Sequence, residues 1–270
     1  MLCRPPGAVL RPFIKQLWVH DAAQAANPGR EHVLPTGLAH LVFRLAGPPL
    51  RIYADDGDAG GAVLSEPVLG GPRSSFYIKE VGQPVLSVGV QLEPGALQAL
   101  FGVSAAELAG RHTPLSELCG GQGDSMLQQL SEAGGAPQKL AALESWLAAR
   151  LPRVHGQHPG VAQILGSMTH ESRVEELVRS SSYSHRGFNA LFKQATGFSP
   201  KRYARLLRFQ ALLAAVRAQP QASLSELALA MGYSDQAHMN REFREFAGLT
   251  PLQYRLLAPE AANHVRRSAG

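Results

Sequence analysis

Gly232-Tyr-Ser-Asp-Gln-Ala-His-Met-Asn-Arg-Glu-Phe243 is the stretch that decides the fold of the C-terminal part of this chain. A glycine such as Gly232 can adopt the positive φ that a tight turn between two helices requires. Ser234 is a favourable N-cap, so a helix is predicted from Asp235 to Ala247. Apolar side chains recur along this helix at helical spacing, at Met239, Phe243 and Phe246. The stretch therefore predicts a turn followed by an amphipathic helix.

A short helix is predicted before this turn, over residues 224–230, with Ser223-Leu-Ser-Glu226 as its capping box. The second helix is predicted to end at Gly248, and Pro251 follows three residues later, which is a common arrangement at helix C-termini. Two helices joined by a tight turn, with basic residues on the second, match the helix-turn-helix motif.

The same pattern occurs earlier in the chain. Two sets of residues recur: Leu177, Tyr183 and Ser184 fifty residues later as Leu227, Tyr233 and Ser234, and Asn189, Phe192, Gly197, Pro200 and Tyr203 fifty-one residues later as Asn240, Phe243, Gly248, Pro251 and Tyr254. Chance agreement at so many ordered positions is improbable. The earlier copy predicts helices over 174–180 and 185–195, so the chain contains two helix-turn-helix units.

Each second helix carries polar residues near its N-terminus, on the face opposite its apolar residues. Arginine recognises guanine, and asparagine or glutamine recognises adenine, through paired hydrogen bonds at the edge of the major groove. The candidates for base contacts are His185, Arg186, Asn189, Gln236, Asn240 and Arg241. For any one of them a solvated helix face is a good alternative explanation, but that explanation is weak for a set repeated at equivalent positions.

A long arginine-rich helix is predicted between the two units, over residues 201–218. A rigid connector would hold the two second helices at a fixed distance, and about 34 Å would place them in successive turns of the major groove. The candidates for phosphate contacts are Ser184, Lys201, Arg202, Arg205 and Ser234.

The positive charge of the chain is concentrated in its C-terminal part. The 270 residues carry a net charge of +5. Residues 155–270 contain 14 basic and 8 acidic residues, a net charge of +6, whereas residues 1–154 contain 12 and 13, a net charge of −1. This distribution favours a polyanion as the partner of the C-terminal part. We also expect a cytoplasmic protein, because the sequence contains neither an apolar run long enough for a membrane span nor a secretory signal.

The N-terminal part is predicted to be β-rich, with short apolar or alternating runs over 17–19, 40–43, 74–78 and 84–92. Residues 138–151 predict an amphipathic helix that packs on its own domain or forms a dimer seam, and a linker is predicted at 151–160. The expected fold class is α+β with two domains, a β-rich part with helices and an all-α part that contains the two helix-turn-helix units. The expected division is 1–110 for the regulatory domain, 111–153 for a helical connector or dimerisation segment, 154–260 for the DNA-binding domain and 261–270 for a flexible tail.

Residues 160–257 resemble the DNA-binding domain of AraC/XylS-type regulators. The motifs that carry the resemblance are Ser184-His-Arg-Gly-Phe-Asn-Ala-Leu-Phe-Lys193 with Gly197-Phe-Ser-Pro200, and Gly232–Phe243 with Gly248-Leu-Thr-Pro251. The resemblance implies seven helices, two of them inserted into adjacent major grooves, and control of nearby promoters, usually as an activator. Two positions depart from the pattern, because Ala190 replaces an arginine equivalent to Arg241, and Ser182 stands opposite Gly232. The first unit is therefore expected to read less sequence than the second.

The N-terminal part resembles the uncharacterised domain that precedes this module in one branch of these regulators. The matching segments are Trp18–His20, Val33–Phe43 and Val90–Gly95, with 101–110. The resemblance implies a β-rich sensor or dimerisation domain, and it does not identify a ligand. The expected partner is double-stranded DNA, and RNA polymerase, a small-molecule effector and a second copy of the chain are further candidates.

Three alternatives to a regulator have little support in the sequence. A thiol enzyme would need an activated cysteine, but Cys3 lies at an end of the chain that is expected to fray, and Cys119 lies in Leu-Cys-Gly-Gly without a nearby histidine or basic residue. A metal site could use His20, His32 and His40, although their spacing is not that of a ligand set. A scaffold that binds protein would not need the arginine-rich connector. We therefore expect a protein that is not an enzyme and requires no cofactor or metal.

Overall fold

The computed structural model describes residues 1–22, 28–151, 159–169, 172, 174–181 and 183–267. The N-terminal half contains two antiparallel sheets, and the C-terminal half is helical. This arrangement confirms the predicted α+β fold class. Most of the predicted linker, and Ser182 in the first turn, lie outside the described residues.

The first sheet has six strands in the order β1-β2-β9-β4-β7-β10. They are β1 Leu2–Arg4, β2 Ile14–Ala22, β4 Ala39–Ala46, β7 Val68–Gly70, β9 Val85–Leu92 and β10 His112–Pro114. The second sheet has five strands in the order β11-β3-β8-β5-β6. They are β3 Gly29–Val33, β5 Leu50–Tyr53, β6 Ala62–Leu64, β8 Tyr77–Val81 and β11 His264–Arg267.

Strand β9 is buried on both faces. Its apolar face enters the N-terminal core through Val88, Val90 and Leu92, as the alternation predicts. The opposite face is also buried, with Gly89 lying directly under the Trp18 ring, so that a Cβ at this position would collide with the indole. The expected strand over 74–78 begins only at Tyr77, because Ser74 O and the Phe76 amide bond to the C-terminal half instead.

Five helices complete the N-terminal core: α1 Ala96–Phe101, α2 Ala105–Leu108, α3 Leu115–Cys119, α4 Gln122–Glu132 and α5 Ala136–Arg150. In α5 the leucine stripe of Leu140, Leu143 and Leu147 is 0% exposed and packs within this core. The stripe therefore serves the helix's own domain and is not available as a dimer seam. The described part of the predicted connector 111–153, residues 111–151, contains strand β10 and helices that share the core of the sheets.

The C-terminal half contains seven helices among the described residues, as predicted. They are α6 Pro159–Ser167, α7 Val174–Ser180, α8 His185–Thr196, α9 Pro200–Ala218, α10 Leu224–Ala230, α11 Gln236–Ala247 and α12 Pro251–Leu257. Their core is rich in aromatic rings. The ring centroid of Phe209 lies 5.2 Å from that of Phe243 and 5.0 Å from that of Phe246. In the part of the chain that is described, no helix has the length and apolar character needed to cross a bilayer.

The chain returns to the N-terminal half after its last helix. Residues 261–270 were predicted to be a flexible tail, but His264–Arg267 form β11, which pairs antiparallel with β3. Val265 is 0% exposed and belongs to the C-terminal core. On the same strand, His264 Nδ1 lies 2.6 Å from Glu31 Oε1. Residues 264–267 form a strand because they pair with β3 at the edge of the second sheet and bury the apolar side chain of Val265. Residues 268–270 lie outside the described residues.

Replacing Val265 with alanine is expected to lower the free energy of unfolding by about 2 kcal/mol, because it removes two fully buried methyl groups and leaves a cavity. The change is measured by urea denaturation of the full chain. Arg266→Ala is the matched control, since Arg266 is the exposed neighbour on the same strand. Equal and small effects of the two substitutions would contradict the packing of β11 in solution.

Candidate nucleic-acid interface

The first helix-turn-helix unit consists of α7 and α8. Ser184 caps α8 as predicted, because its Oγ accepts a hydrogen bond of 3.2 Å from the Gly187 amide. Phe188 and Phe192 are fully buried and fix the inner face of the helix. The helix ends at Gly197, whose φ of 84° is in the left-handed region. The sequence thus determines both ends and the rotation of α8.

The second unit consists of α10 and α11, and its turn contains Gly232 with a φ of 74°. The N-cap of α11 is Asp235, whose carboxylate accepts a hydrogen bond of 2.6 Å from the His238 amide. The predicted cap, Ser234, instead donates to Asp235. The prediction was wrong because two adjacent residues can each cap, and the carboxylate is the stronger acceptor beside helix amides.

The caps of the neighbouring helices also differ from the predictions. Ser223 makes no side-chain cap to α10, and its Oγ lies 2.6 Å from Ser225 Oγ, so the predicted capping box is absent there. A capping box that was not predicted forms at α12, where Thr250 and Gln253 bond reciprocally. The Thr-Pro-Leu-Gln sequence at 250–253 contains the signal for it.

The base-contact candidates lie on the N-terminal halves of α8 and α11. The half-buried candidates are Asn189 and Asn240. The exposed candidates are His185, Arg186, Gln236 and Arg241. Within α8, Asn189 Nδ2 lies 2.9 Å from His185 Nδ1. Ala190 is exposed at the position equivalent to Arg241, so this part of α8 presents a methyl group in place of a cation.

The predicted phosphate contacts fall into two groups. Lys201 is exposed and, like Ser184 and Ser234, lies at the surface. Arg202 and Arg205 instead both pair with Glu245 on α11. Arg202 also donates a hydrogen bond of 2.9 Å to Ser74 O, and its guanidinium lies 4.7 Å from the centre of the Phe246 ring. Those two arginines therefore hold α9 against α11 and the N-terminal half.

A buried carboxylate, Glu242, joins the same network. Its side chain is 1% exposed and accepts hydrogen bonds of 2.7 Å from Arg205 and 2.8 Å from Arg208. Burial opposes its ionisation, but the hydrogen bonds from both arginines outweigh this effect, and the pKa of Glu242 is lowered. The sequence analysis missed Glu242 and Glu245. Their signal is a matched spacing, because acids three residues apart on α11 face arginines three residues apart on α9.

The C-terminal ends of α8 and α11 both dock on the N-terminal half. The Gly95 amide donates a hydrogen bond of 2.9 Å to Ala195 O at the end of α8. The Phe76 amide donates one of 2.9 Å to Phe246 O at the end of α11, and His32 Nδ1 donates one of 3.2 Å to Ala247 O. The N-terminal half thus bonds to both helices at the ends remote from the base-contact candidates.

Two further contacts join the halves through loop residues. Leu34 is 1% exposed and packs in the C-terminal core, and Gln210 donates a hydrogen bond of 2.7 Å to Pro35 O.

The three histidines considered for a metal site have different surroundings: His20 is exposed, His32 bonds to α11, and His40 lines a cavity. No group of three or more histidine, cysteine or acidic residues suited to a metal occurs among the described residues.

Comparisons with known families agree with this division. The family model of a helix-turn-helix domain matches residues 177–256. This match spans most of both helix-turn-helix units. Residues 3–114, which precede it in the chain, match a domain of unknown function (DUF6597). The helix-turn-helix match supports DNA binding and regulation of transcription.

Similar proteins are found by sequence and by structure. An uncharacterized HTH-type transcriptional regulator of Haemophilus influenzae is 33% identical over 92 residues, which are 34% of this chain and 30% of that protein. The chain therefore matches less than a third of the length of this relative. ToxT from Vibrio cholerae is 8% identical with a TM-score of 0.45, covering 91% of this chain and 99% of that chain. A second ToxT structure, from strain O395, is 9% identical with a TM-score of 0.44, covering 91% and 98%. At these scores the structural likeness carries no argument about ligand or activity.

Proposed function

We propose that the chain is a sequence-specific transcription regulator that inserts the N-terminal halves of α8 and α11 into adjacent segments of the major groove. One observation carries this proposal. In both helices the polar residues that can bond to bases are at the open end, and the opposite end bonds to the N-terminal domain. Docking on the N-terminal domain therefore leaves the DNA-facing ends accessible.

Specific binding in this proposal depends mainly on α11. Gln236, Asn240 and Arg241 are its base-contact residues, whereas α8 offers His185, Arg186 and Asn189 without a cation at Ala190. Exposed Lys201 and the hydroxyls of Ser184 and Ser234 contact phosphates. Arg202 and Arg205 retain a smaller electrostatic role, because Glu242 and Glu245 already neutralise them.

The N-terminal domain is proposed to control DNA binding by shifting the population in which α8 and α11 are correctly spaced. We assign residues 1–151 with β11 to this regulatory part and residues 159–257 to DNA binding. An activator of this kind would act in the cytoplasm and contact RNA polymerase. Pairing of two copies remains part of the proposal, but it cannot use the buried leucines of α5.

The test is binding of the full chain to DNA from immediately upstream of its own gene and to a random duplex, each at two salt concentrations. Preference for the upstream fragment, with affinity that falls steeply as salt rises, is the expected result, since phosphate contacts release counterions. Weak binding without preference at either salt concentration would overturn the proposal and favour a scaffold that binds protein.

Arg241→Ala is expected to cost about 1–3 kcal/mol in binding to the preferred site and to relax the preference at one base pair. Fluorescence anisotropy on the preferred site and on single-base variants measures both effects. Arg244→Ala is the matched control, because Arg244 is an exposed arginine of the same helix, nearer its docked end. An equal loss on preferred and random DNA would show that Arg241 contacts phosphate and reads no base.

A further inference from the structure

A cavity of about 50 Å³ lies between the two sheets of the N-terminal domain. Strands of both sheets line it, with an apolar wall that includes Val42, Leu50 and Val68. A single water requires roughly 10–15 Å³, so the cavity has room for about three to five non-hydrogen atoms. It is too small for a drug-sized ligand and large enough for a short organic molecule.

Arg73 makes this cavity electrostatically unusual. It is half-buried, and no aspartate or glutamate is among the described residues that line the cavity. Its Nε–H is buried and has no hydrogen-bond acceptor in the part of the chain described. Partial burial of a cation without a carboxylate is unfavourable, and an anion in the cavity would relieve that cost.

The two histidines of the lining, His40 and His112, are neutral near pH 7 and therefore add no positive charge to the cavity. Arg73 donates a hydrogen bond of 2.9 Å to His112 Nδ1, so that nitrogen carries no proton. Burial, with the positive charge of Arg73, lowers the pKa of His112 to about 3, and burial lowers that of His40 to about 4. Arg73 is therefore the charged side chain of the lining at neutral pH.

Tyr77 supplies both a support and a donor. Its ring centre lies 5.0 Å from the Arg73 guanidinium and 4.8 Å from the His112 ring, which orients both groups. Burial raises the pKa of Tyr77 to about 12, so its hydroxyl keeps the proton and can donate it to an anion. A planar guanidinium and a hydroxyl donor in the lining of one cavity suit the two oxygens of a carboxylate.

We propose that this cavity binds a small carboxylate of two or three carbons, whose oxygens bond to Arg73 and Tyr77 and whose alkyl group contacts the apolar wall. The lining also includes Leu34 and Pro35, which contact the C-terminal domain, and Arg73 precedes Ser74, whose carbonyl accepts a hydrogen bond from Arg202. Occupancy therefore acts on the segments that hold α9 and α11. This effector role rests on the proposed function, whereas the binding itself does not.

Binding is tested by isothermal titration and thermal unfolding of the full chain with sodium acetate and sodium propionate. Propionamide, which has the same shape without the charge, and sodium chloride at equal ionic strength are the controls. Propionate is expected to bind and to raise Tm, and octanoate to do neither because it exceeds the cavity. Equal effects of propionate, propionamide and chloride would overturn the proposal.

Arg73→Gln is expected to weaken propionate binding by at least about tenfold, the loss typical of a hydrogen bond to a charged group. Arg111→Gln is the control, since Arg111 is an exposed arginine next to His112 and outside the lining. Because Arg73→Gln could impair folding, Tyr77→Phe provides a second variant, expected to bind propionate about threefold to tenfold more weakly with the ring retained. Unchanged affinity in Tyr77→Phe and in a folded Arg73→Gln would overturn the assignment of the site.

The DNA measurement separates the two proposals. Propionate binding that also changes the affinity for the preferred DNA supports both the site and its regulatory role. Propionate binding by a chain that shows no DNA preference supports the site and contradicts the proposed function. Normal DNA preference without any propionate binding contradicts the site alone.

Discussion

Replacing Glu242 with glutamine is expected to lower the free energy of unfolding by about 3 kcal/mol. The carboxylate is 1% exposed and is the shared acceptor of Arg205 and Arg208. Glutamine keeps its shape, but it removes the negative charge and places N–H donors against two guanidinium groups. Breaking a buried ion pair on one side costs 3–5 kcal/mol, and the partial exposure of both arginines places this case at about the lower end. Urea denaturation of the full chain measures the change.

Glu245→Gln is the matched control for this prediction. Glu245 lies on the same helix, pairs with Arg202 and Arg205, and undergoes the same chemical change, but its side chain is 43% exposed. Water replaces much of the lost interaction there, so a loss below about 1 kcal/mol is expected. Similar losses for the two variants would show that the burial of Glu242 does not determine its contribution.

The pH dependence of the free energy of unfolding provides a second test of the Glu242→Gln prediction. The pKa of Glu242 is lower in the folded chain than the ordinary value of 4.5, so its charge stabilises the fold above pH 4.5. That contribution is lost as the pH falls below 4.5 towards the folded pKa. The stability difference between the native chain and Glu242→Gln should therefore shrink over this acidic window. A difference independent of pH would mean that shape, and not charge, causes the loss.

The local pattern predicted the helices of the C-terminal domain closely. Residues 174–180 and 224–230 have the predicted bounds, Gly232 has the predicted positive φ, and α11 ends at Gly248 as predicted. These features depend on helical periodicity and on glycine, both of which are local properties of the sequence. In the same way, the leucines of α5 identified a buried face, although only the structure shows which surface covers it.

The features that sequence did not predict depend on residues far apart in the chain. Arg202 and Arg205 have the charge of phosphate contacts, and their pairing with α11 depends on how α9 packs. Strand β11 is too short for a periodicity to identify, and it is ordered by an edge more than two hundred residues earlier in the chain. The cavity around Arg73 is lined by several separate segments, so no motif marks it. Tertiary contacts decide each of these cases.

Gly248→Ala is expected to lower the free energy of unfolding by about 3 kcal/mol and to loosen the end of α11 from the N-terminal domain. With a φ of 69°, an alanine at this position has a conformational cost of about 1–2 kcal/mol. Its Cβ would also lie 2.5 Å from Phe76 Cζ, a distance that the ring cannot keep. Phe76 stacks on His32 with ring centres 4.7 Å apart, and His32 Nδ1 bonds to Ala247 O, so moving the Phe76 ring disturbs a second interdomain contact.

Gly232→Ala separates the two parts of this effect. Gly232 has a φ of 74°, but no atom lies within 4 Å of the position of its Cβ, so alanine there has only the conformational cost. Hydrogen exchange identifies the docking contribution, because the Phe76 amide donates to Phe246 O at the end of α11. Exchange of that amide should accelerate in Gly248→Ala and not in Gly232→Ala, while the Gly95 amide, bonded to α8, remains protected in both. If the Gly95 amide were also exposed in Gly248→Ala, the two helices would leave the N-terminal domain as one unit, and their spacing would not depend on separate docking contacts.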